Sequence, residues 1–369
     1  MHPRSINPIN TQSKNMNTVI PRLQNLRRTL IASACLTLSL FSLGVQAQTS
    51  ENKVLNLYSA RHYQTDEALY NNFTKATGIT IRRIELGDEA LLERLRNEGA
   101  NSQADVILLV DAARLWKLQI EGLTQPVKSK LLDERIPAQF RAQEGQWFGF
   151  SSRARVIVYS KDSIDPADVQ NYEDLANPKL KGKVCTRSGS HPYMLSLVGA
   201  MVEHLGADGA EKWAKGVVDN MARPPKGGDT DQIKGVASGE CGVALTNSYY
   251  WVRLLRSDKP EDKAVVSKVG FIWPNQKKSG THINISGGAV ARHAPNRDAA
   301  VKFLEYLASN DAQVYFADGN NEWPVVKGVK PNNAALNGLG SFKEDPIAAQ
   351  TLARNTVTAQ RILDRVGYR

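Results

Sequence analysis

The sequence predicts an α/β protein of two lobes, each a mostly parallel sheet flanked by helices, with a ligand cleft between them. Three observations carry this reading. Short apolar runs alternate with amphipathic ones along most of the chain. A length of 369 residues exceeds what one small core needs and suits two medium domains. No Gly/Ser tract separates the halves, so strand-like crossovers on which the lobes can hinge are expected to join them.

Taken in order, residues 54–59 read as a short apolar strand and 66–77 as a helix with Leu69, Tyr70 and Phe73 on one stripe, stopped by Gly78. Strand 79–85, helix 89–99, buried strand 104–110 and helix 112–121 continue the alternation. Residues 147–159 form one or two extended segments. A second βα series is expected from 172–176 through Val184, with helices over 194–204 and 210–219. Strand 283–291, amphipathic helix 296–308 and long terminal helices over 346–366 complete the pattern. Lobe 1 is expected to comprise 51–150 with 277–323, and lobe 2 to comprise 151–276 with 324–369. In such folds ligands sit outside the carboxyl ends of parallel strands, where loops enter helices.

Before this region, Arg22, Arg27 and Arg28 precede the apolar run 30–45, and Val45-Gln46-Ala47 supplies a small-x-small cleavage site. Residues 1–47 therefore read as a signal peptide, and the chain as exported. The pair Arg27-Arg28 fits the Sec and twin-arginine routes alike. Removing the five bases Arg4, Lys14, Arg22, Arg27 and Arg28 brings the net charge from +10 to +5. The remaining excess is scattered, which argues against nucleic acid as a partner. Outside the leader, no stretch approaches the apolar length of a membrane span. Cys35 falls in the leader, leaving Cys185 and Cys241 as a single disulfide or as two buried thiols.

Three strand-to-helix loops carry tyrosine: Ser59-Ala60-Arg61-His62-Tyr63, Ser188-Gly189-Ser190-His191-Pro192-Tyr193 and Thr246-Asn247-Ser248-Tyr249-Tyr250. Pro192 and the Asn247/Ser248 pair are helix-start signals, so Tyr193, Tyr249 and Tyr250 fall in or beside first helical turns, where the helix dipole favours an anion. A hard trivalent cation prefers anionic oxygen and drives phenol ionisation, so a phenolate cluster suits ferric iron. Four phenolates and Fe3+ carry a net charge of −1, which a single arginine offsets. Singly, each tyrosine reads equally well as a core-edge aromatic with its hydroxyl in water. His62 and His191 read as ligands, caps or exposed residues, and Arg61, Arg153 and Arg155 as charge partners or surface bases.

At these residues the sequence resembles the periplasmic ferric-iron-binding proteins of ABC importers, in their tyrosine-rich branch. The resemblance spans nearly the whole mature chain and rests on Leu57-Tyr58-Ser59-Ala60-Arg61-His62-Tyr63, Gly182-Lys183-Val184-Cys185 with Tyr193, and Asn247-Ser248-Tyr249-Tyr250. It implies a type II periplasmic-binding-protein fold and a periplasmic location. The cargo would be Fe3+, or Fe2+ as a variant, and the partner an ABC transporter permease, with the protein monomeric. It also implies metal ligation by Tyr63, Tyr193, Tyr249, Tyr250 and His62, with Arg253 and Arg153 balancing charge. Relatives in another branch use a first-lobe glutamate and an exogenous anion. Here the segment 104–111 has valine at the apparent glutamate position, which favours a tyrosine-filled site, while Asp111 near the cleft leaves an anion or carboxylate contribution open.

No His-Glu-x-x-His, Gly-x-Ser-x-Gly, phosphate-loop or Gly-x-Gly-x-x-Gly motif occurs, so an enzyme is not expected. The competing expectation is a binding protein of the same fold for an oxyanion or small organic ligand.

Overall fold

The computed structural model describes residues 54–61, 63 and 65–369. The expected leader and His62 lie outside the described residues. The chain opens with β1 (Val54–Ser59), α1 (Asp66–Thr77), β2 (Thr80–Glu85), α2 (Asp88–Glu98), β3 (Val106–Val110) and α3 (Ala112–Ile120). β1 lies between β2 and β3 and is parallel to both. All five residues of β3, Val-Ile-Leu-Leu-Val, are buried, as a parallel strand covered on both faces requires. α1 buries Leu69, Tyr70 and Phe73 and ends at Gly78, whose φ of 73° lets its N–H return to the Thr74 carbonyl.

β4 (Thr124–Gln125), α4 (Lys130–Arg135) and β5 (Phe148–Ser160) follow, then β6 (Val184–Cys185), α5 (Pro192–Asp219), α6 (Asp229–Ala237), β7 (Val243–Asn247) and α7 (Ser248–Leu255). α8 (Pro260–Lys268) and β8 (Val269–Ile272) lead into β9 (Ile283–Ala291), α9 (Arg297–Leu307), α10 (Asn310–Asn320), β10 (Trp323–Pro324), α11 (Ala334–Asn337) and α12 (Ala349–Arg365). The main strand order is β2-β1-β3-β9-β5-β7-β6.

The sheet is mixed rather than mostly parallel. Between the strands named above, parallel pairing is confined to β1/β2, β1/β3 and β6/β7, and every ladder involving β5 or β9 is antiparallel. These two long strands run in opposite directions through the middle of the sheet. Direct pairing between them needs no helical return, unlike a parallel crossover. β5 also links two cores. Phe148, Phe150, Ala154 and Val156 pack in a first cluster with Leu57, Ile107, Ile285 and Phe303. Ile157 packs in a second, with Leu197, Trp213, Leu245 and Ile362.

Three local differences have physical causes. The segment expected over 147–159 is the single strand β5 (Phe148–Ser160), with a register shift between Gly149 and Ser151. Residues 172–176 are a 3-10 turn, started by the Asp174 carboxylate accepting the Asn171 N–H at 2.7 Å. The helices expected over 194–204 and 210–219 are merged in α5, where Gly206 makes a kink at φ 72°.

Cys185 in β6 and Cys241 just before β7 are joined in a disulfide, with Cα atoms 5.8 Å apart and 56 positions between them in sequence. Replacing both with serine is expected to lower stability by about 4 kcal/mol by the chain-entropy argument. Chemical denaturation beside a thiol count checks this. Two free thiols in the native protein, with unchanged stability on replacement, would contradict it.

Candidate metal centre

Each of the three loops places its tyrosine by a different local device. Tyr63 lies between the end of β1 and the start of α1. Tyr193 is the second residue of α5, after Pro192, and its N–H is capped by His191 Nδ1 at 3.2 Å. Tyr249 and Tyr250 are the second and third residues of α7. Asn247, the cap residue of α7, makes no side-chain cap. Its amide oxygen instead accepts from Arg155 Nη1 at 3.1 Å, and its N–H donates to Asp229 Oδ2 at 2.7 Å. The entrance of α7 is therefore fixed by a buried ion pair rather than by its own cap.

The loops converge. Tyr63, Val110, Tyr193 and Tyr249 form one buried cluster, with Tyr250 packed against it. The Tyr193 and Tyr249 hydroxyls are 3.0 Å apart. The Tyr63 ring meets Tyr249 edge-on at 5.8 Å between centroids, and the Tyr249 and Tyr250 rings are 4.2 Å apart. Position in a first helical turn is what lets adjacent tyrosines share one space, because side chains one residue apart on a helix otherwise diverge. On the solvent side lies an open cavity of about 770 Å3, lined by Tyr63, Lys234, Arg253, Arg256, Lys259 and Asn320 among others.

Five guanidinium groups surround these rings. Arg61 lies 4.6 Å from the Tyr63 centroid and Arg253 5.2 Å from that of Tyr250. Arg187, Arg153 and Arg155 lie 5.0, 5.6 and 5.9 Å from Tyr193. Arg61, Arg153 and Arg155 are buried, so the surface-base alternative does not hold for them. Arg61 pairs with Asp66 at 2.6 Å, and Asp229 takes Arg155 at 2.5 Å and Arg187 at 3.3 Å. Arg153 makes one hydrogen bond, to Ser286 Oγ at 3.3 Å, with Asp111 at 3.8 Å.

Burial pushes the Tyr63, Tyr193 and Tyr249 phenols above their ordinary range. Glu322 adds to this at Tyr63, Tyr250 at Tyr193, and the neighbouring phenols at Tyr249. Arg61 and Arg153 oppose the rise at Tyr63, and Arg153 opposes it at Tyr193. These phenols therefore stay protonated at neutral pH. Burial alone would lower the Arg153 pKa, but the acidic groups of Tyr193, Asp111 and Glu322 beside it raise it.

Glu322 escaped the sequence reading. It is fully buried and accepts hydrogen bonds from Tyr63 Oη at 3.0 Å, Ser151 Oγ at 2.7 Å and Ser286 Oγ at 3.1 Å, with Arg61 at 3.9 Å. Its only sequence signal is an acid set directly before the apolar run Trp323-Pro324-Val325-Val326. Asp111 lies near the cluster, at the start of α3, where it pairs with Arg153 and accepts the Ala113 N–H. Burial raises its carboxyl to about 6, against the pull of Arg153. Among the described residues, there is no group of three or more His, Cys, Asp or Glu that could hold a metal ion.

Two packed α/β cores, antiparallel crossover strands between them and a buried polar cluster beside those strands define a two-lobed ligand-binding protein. The chain belongs to the bacterial extracellular solute-binding protein family, whose model matches residues 68–350. It is 46% identical over 319 residues to iron uptake protein A1 of Synechocystis sp., covering 86% of this chain and 88% of that protein. Among solved structures it is similar to a Trichodesmium protein (IdiA, FutA) in complex with iron and citrate ligands. The TM-score is 0.82 at 51% identity, covering 86% of this chain and 100% of that one. A ferric binding protein from Campylobacter jejuni matches with a TM-score of 0.82 at 41% identity, covering 85% of this chain and 100% of that one.

Proposed function

We propose that this chain is the extracytoplasmic binding component of an ABC importer and carries ferric iron in the tyrosine cluster. One observation bears most of the weight. Four tyrosines from three loops gather at one point with five guanidiniums around them. Four phenolates with Fe3+ give −1, and arginine offsets that charge at low cost in a buried setting. The iron-related names and ligand of the similar proteins support the same reading. An oxyanion site would rest on helix amino termini and arginine and would leave the tyrosines without a role.

In this account lobe 1 comprises 51–150 with 277–323, and lobe 2 comprises 151–276 with 324–369. Tyr193, Tyr249 and Tyr250 of lobe 2 take the ion first. Tyr63 of lobe 1, with His62 as its neighbour and alternative donor, completes the shell when the lobes close. Iron stabilises the closed form through these lobe-1 contacts, because only contacts absent from the open form can shift that equilibrium. Arg153 and Arg253 balance charge from behind Tyr193 and beside Tyr250. The protein acts as a periplasmic monomer, exported by the Sec or twin-arginine route. A permease docked on both lobes favours opening and release. Fe3+ is the preferred cargo, and Fe2+ binds more weakly because phenolate favours the harder ion.

Titration of metal-free protein with chelated ferric iron is expected to produce a visible tyrosinate-to-iron charge-transfer band, lost or shifted in Tyr249→Phe/Tyr250→Phe. A folded parent with no band would sink the phenolate reading. Each ligating phenol must also give up a proton held above its ordinary range, so iron affinity should rise with pH and fall on acidification. Competition against a calibrated chelator at several pH values checks the sign, and a pH-independent affinity would count against ionised phenols as ligands.

A further inference from the structure

The loop that delivers Tyr193 has little sheet to hold it. β6 is two residues long and pairs with β7 through Val184 and Cys185, and residues 186–191, between β6 and α5, belong to no helix or strand. Side chains from elsewhere in the chain do the holding. Arg187 reaches Asp229 at 3.3 Å, and Asp229 also accepts the Asn247 N–H at the entrance of α7. That carboxylate ties the Tyr193 loop to the Tyr249 loop.

A second anchor comes from the residues that follow α12. Gly367, at φ 68°, donates its N–H to the Asp364 carbonyl at 3.2 Å, and the Tyr368 N–H returns to the Leu363 carbonyl at 2.9 Å. This pair of bonds closes the helix and turns the next side chain back against it. Tyr368 is 4% exposed and shares a buried cluster with Met194 and Leu197 of α5. Its hydroxyl donates to the buried Thr186 Oγ1 at 2.6 Å, across 182 positions of sequence. Further along the same loop, the Gly189 N–H meets the Arg369 carbonyl at 3.4 Å. A Cβ on Gly189 would lie 2.4 Å from the Tyr368 carbonyl oxygen and 2.9 Å from its ring, so this approach requires glycine.

From these contacts we infer that Tyr368 is a positioning residue for metal capture, pinning loop 186–191 so that the Tyr193 hydroxyl stays within 3.0 Å of that of Tyr249. Tyr368 is not itself a ligand and acts through Tyr193. A loop already in place spares the entropy of ordering it when metal arrives. A ligand whose support is loose is present but poorly placed. The consequence for iron rests on the reading of Tyr193 as a ligand, whereas the anchor rests on the contacts of Tyr368 alone.

Tyr368→Phe keeps the ring in its cluster and removes only the hydroxyl, and Thr186→Val removes the acceptor at similar volume. In the metal-free protein each is expected to speed amide hydrogen exchange across 186–193 relative to the parent. Each should also weaken ferric iron binding by about tenfold, the lower end of what changes in outer-shell partners cost, measured against a calibrated chelator. In a Tyr193→Phe background the same changes should cost nothing further, because the ligand they position is gone. Unchanged exchange overturns the anchor. Equal affinity of parent and variants, or the same loss in both backgrounds, overturns action through Tyr193. A folded parent with no visible iron band would sink the phenolate reading and with it the consequence for iron, while exchange alone still decides the anchor.

Discussion

Everything at this centre follows from placing guanidinium groups out of water beside phenols that are also out of water. Neither arrangement is stable by itself. A buried arginine needs compensation, and a buried tyrosine resists ionisation. Asp66 and Asp229 compensate Arg61, Arg155 and Arg187 directly, whereas Arg153 is held by Ser286 and by the more distant Asp111 and Glu322. Guanidinium groups thus lie next to Tyr193, where under the proposed function they would stabilise phenolates formed around a trivalent cation.

The fold makes this possible through its two crossover strands. β5 carries Ser151, Arg153 and Arg155 along one run, and β9 carries Asn284 and Ser286 beside it. The strand that joins the two cores is therefore also the strand that supplies buried arginine to the tyrosines. Glu322 ties Tyr63 to both strands through Ser151 and Ser286.

Much of this was legible in the chain itself. The opening βα units, the buried strand read over 104–110 and found over Val106–Val110, and the helix stop at Gly78 follow from apolar spacing and glycine placement, which are local signals. The loop tyrosines stood out because helix-start residues flank them. What local pattern could not carry was strand direction and charge pairing. The central antiparallel ladders depend on β5 and β9 meeting across more than a hundred residues of sequence. Glu322 joins Tyr63 across 259 positions, and Asp229 joins Arg155 across 74. Arg155 looked like one base among many until burial separated it from the surface.

The central claim is that Tyr63 couples iron to closure, and small-angle X-ray scattering of metal-free and iron-loaded protein, parent beside Tyr63→Phe, tests it most directly. The account predicts iron-dependent compaction in the parent and loss of most of it in the variant, while the lobe-2 tyrosines still give a visible iron band. Identical compaction in both proteins would contradict it.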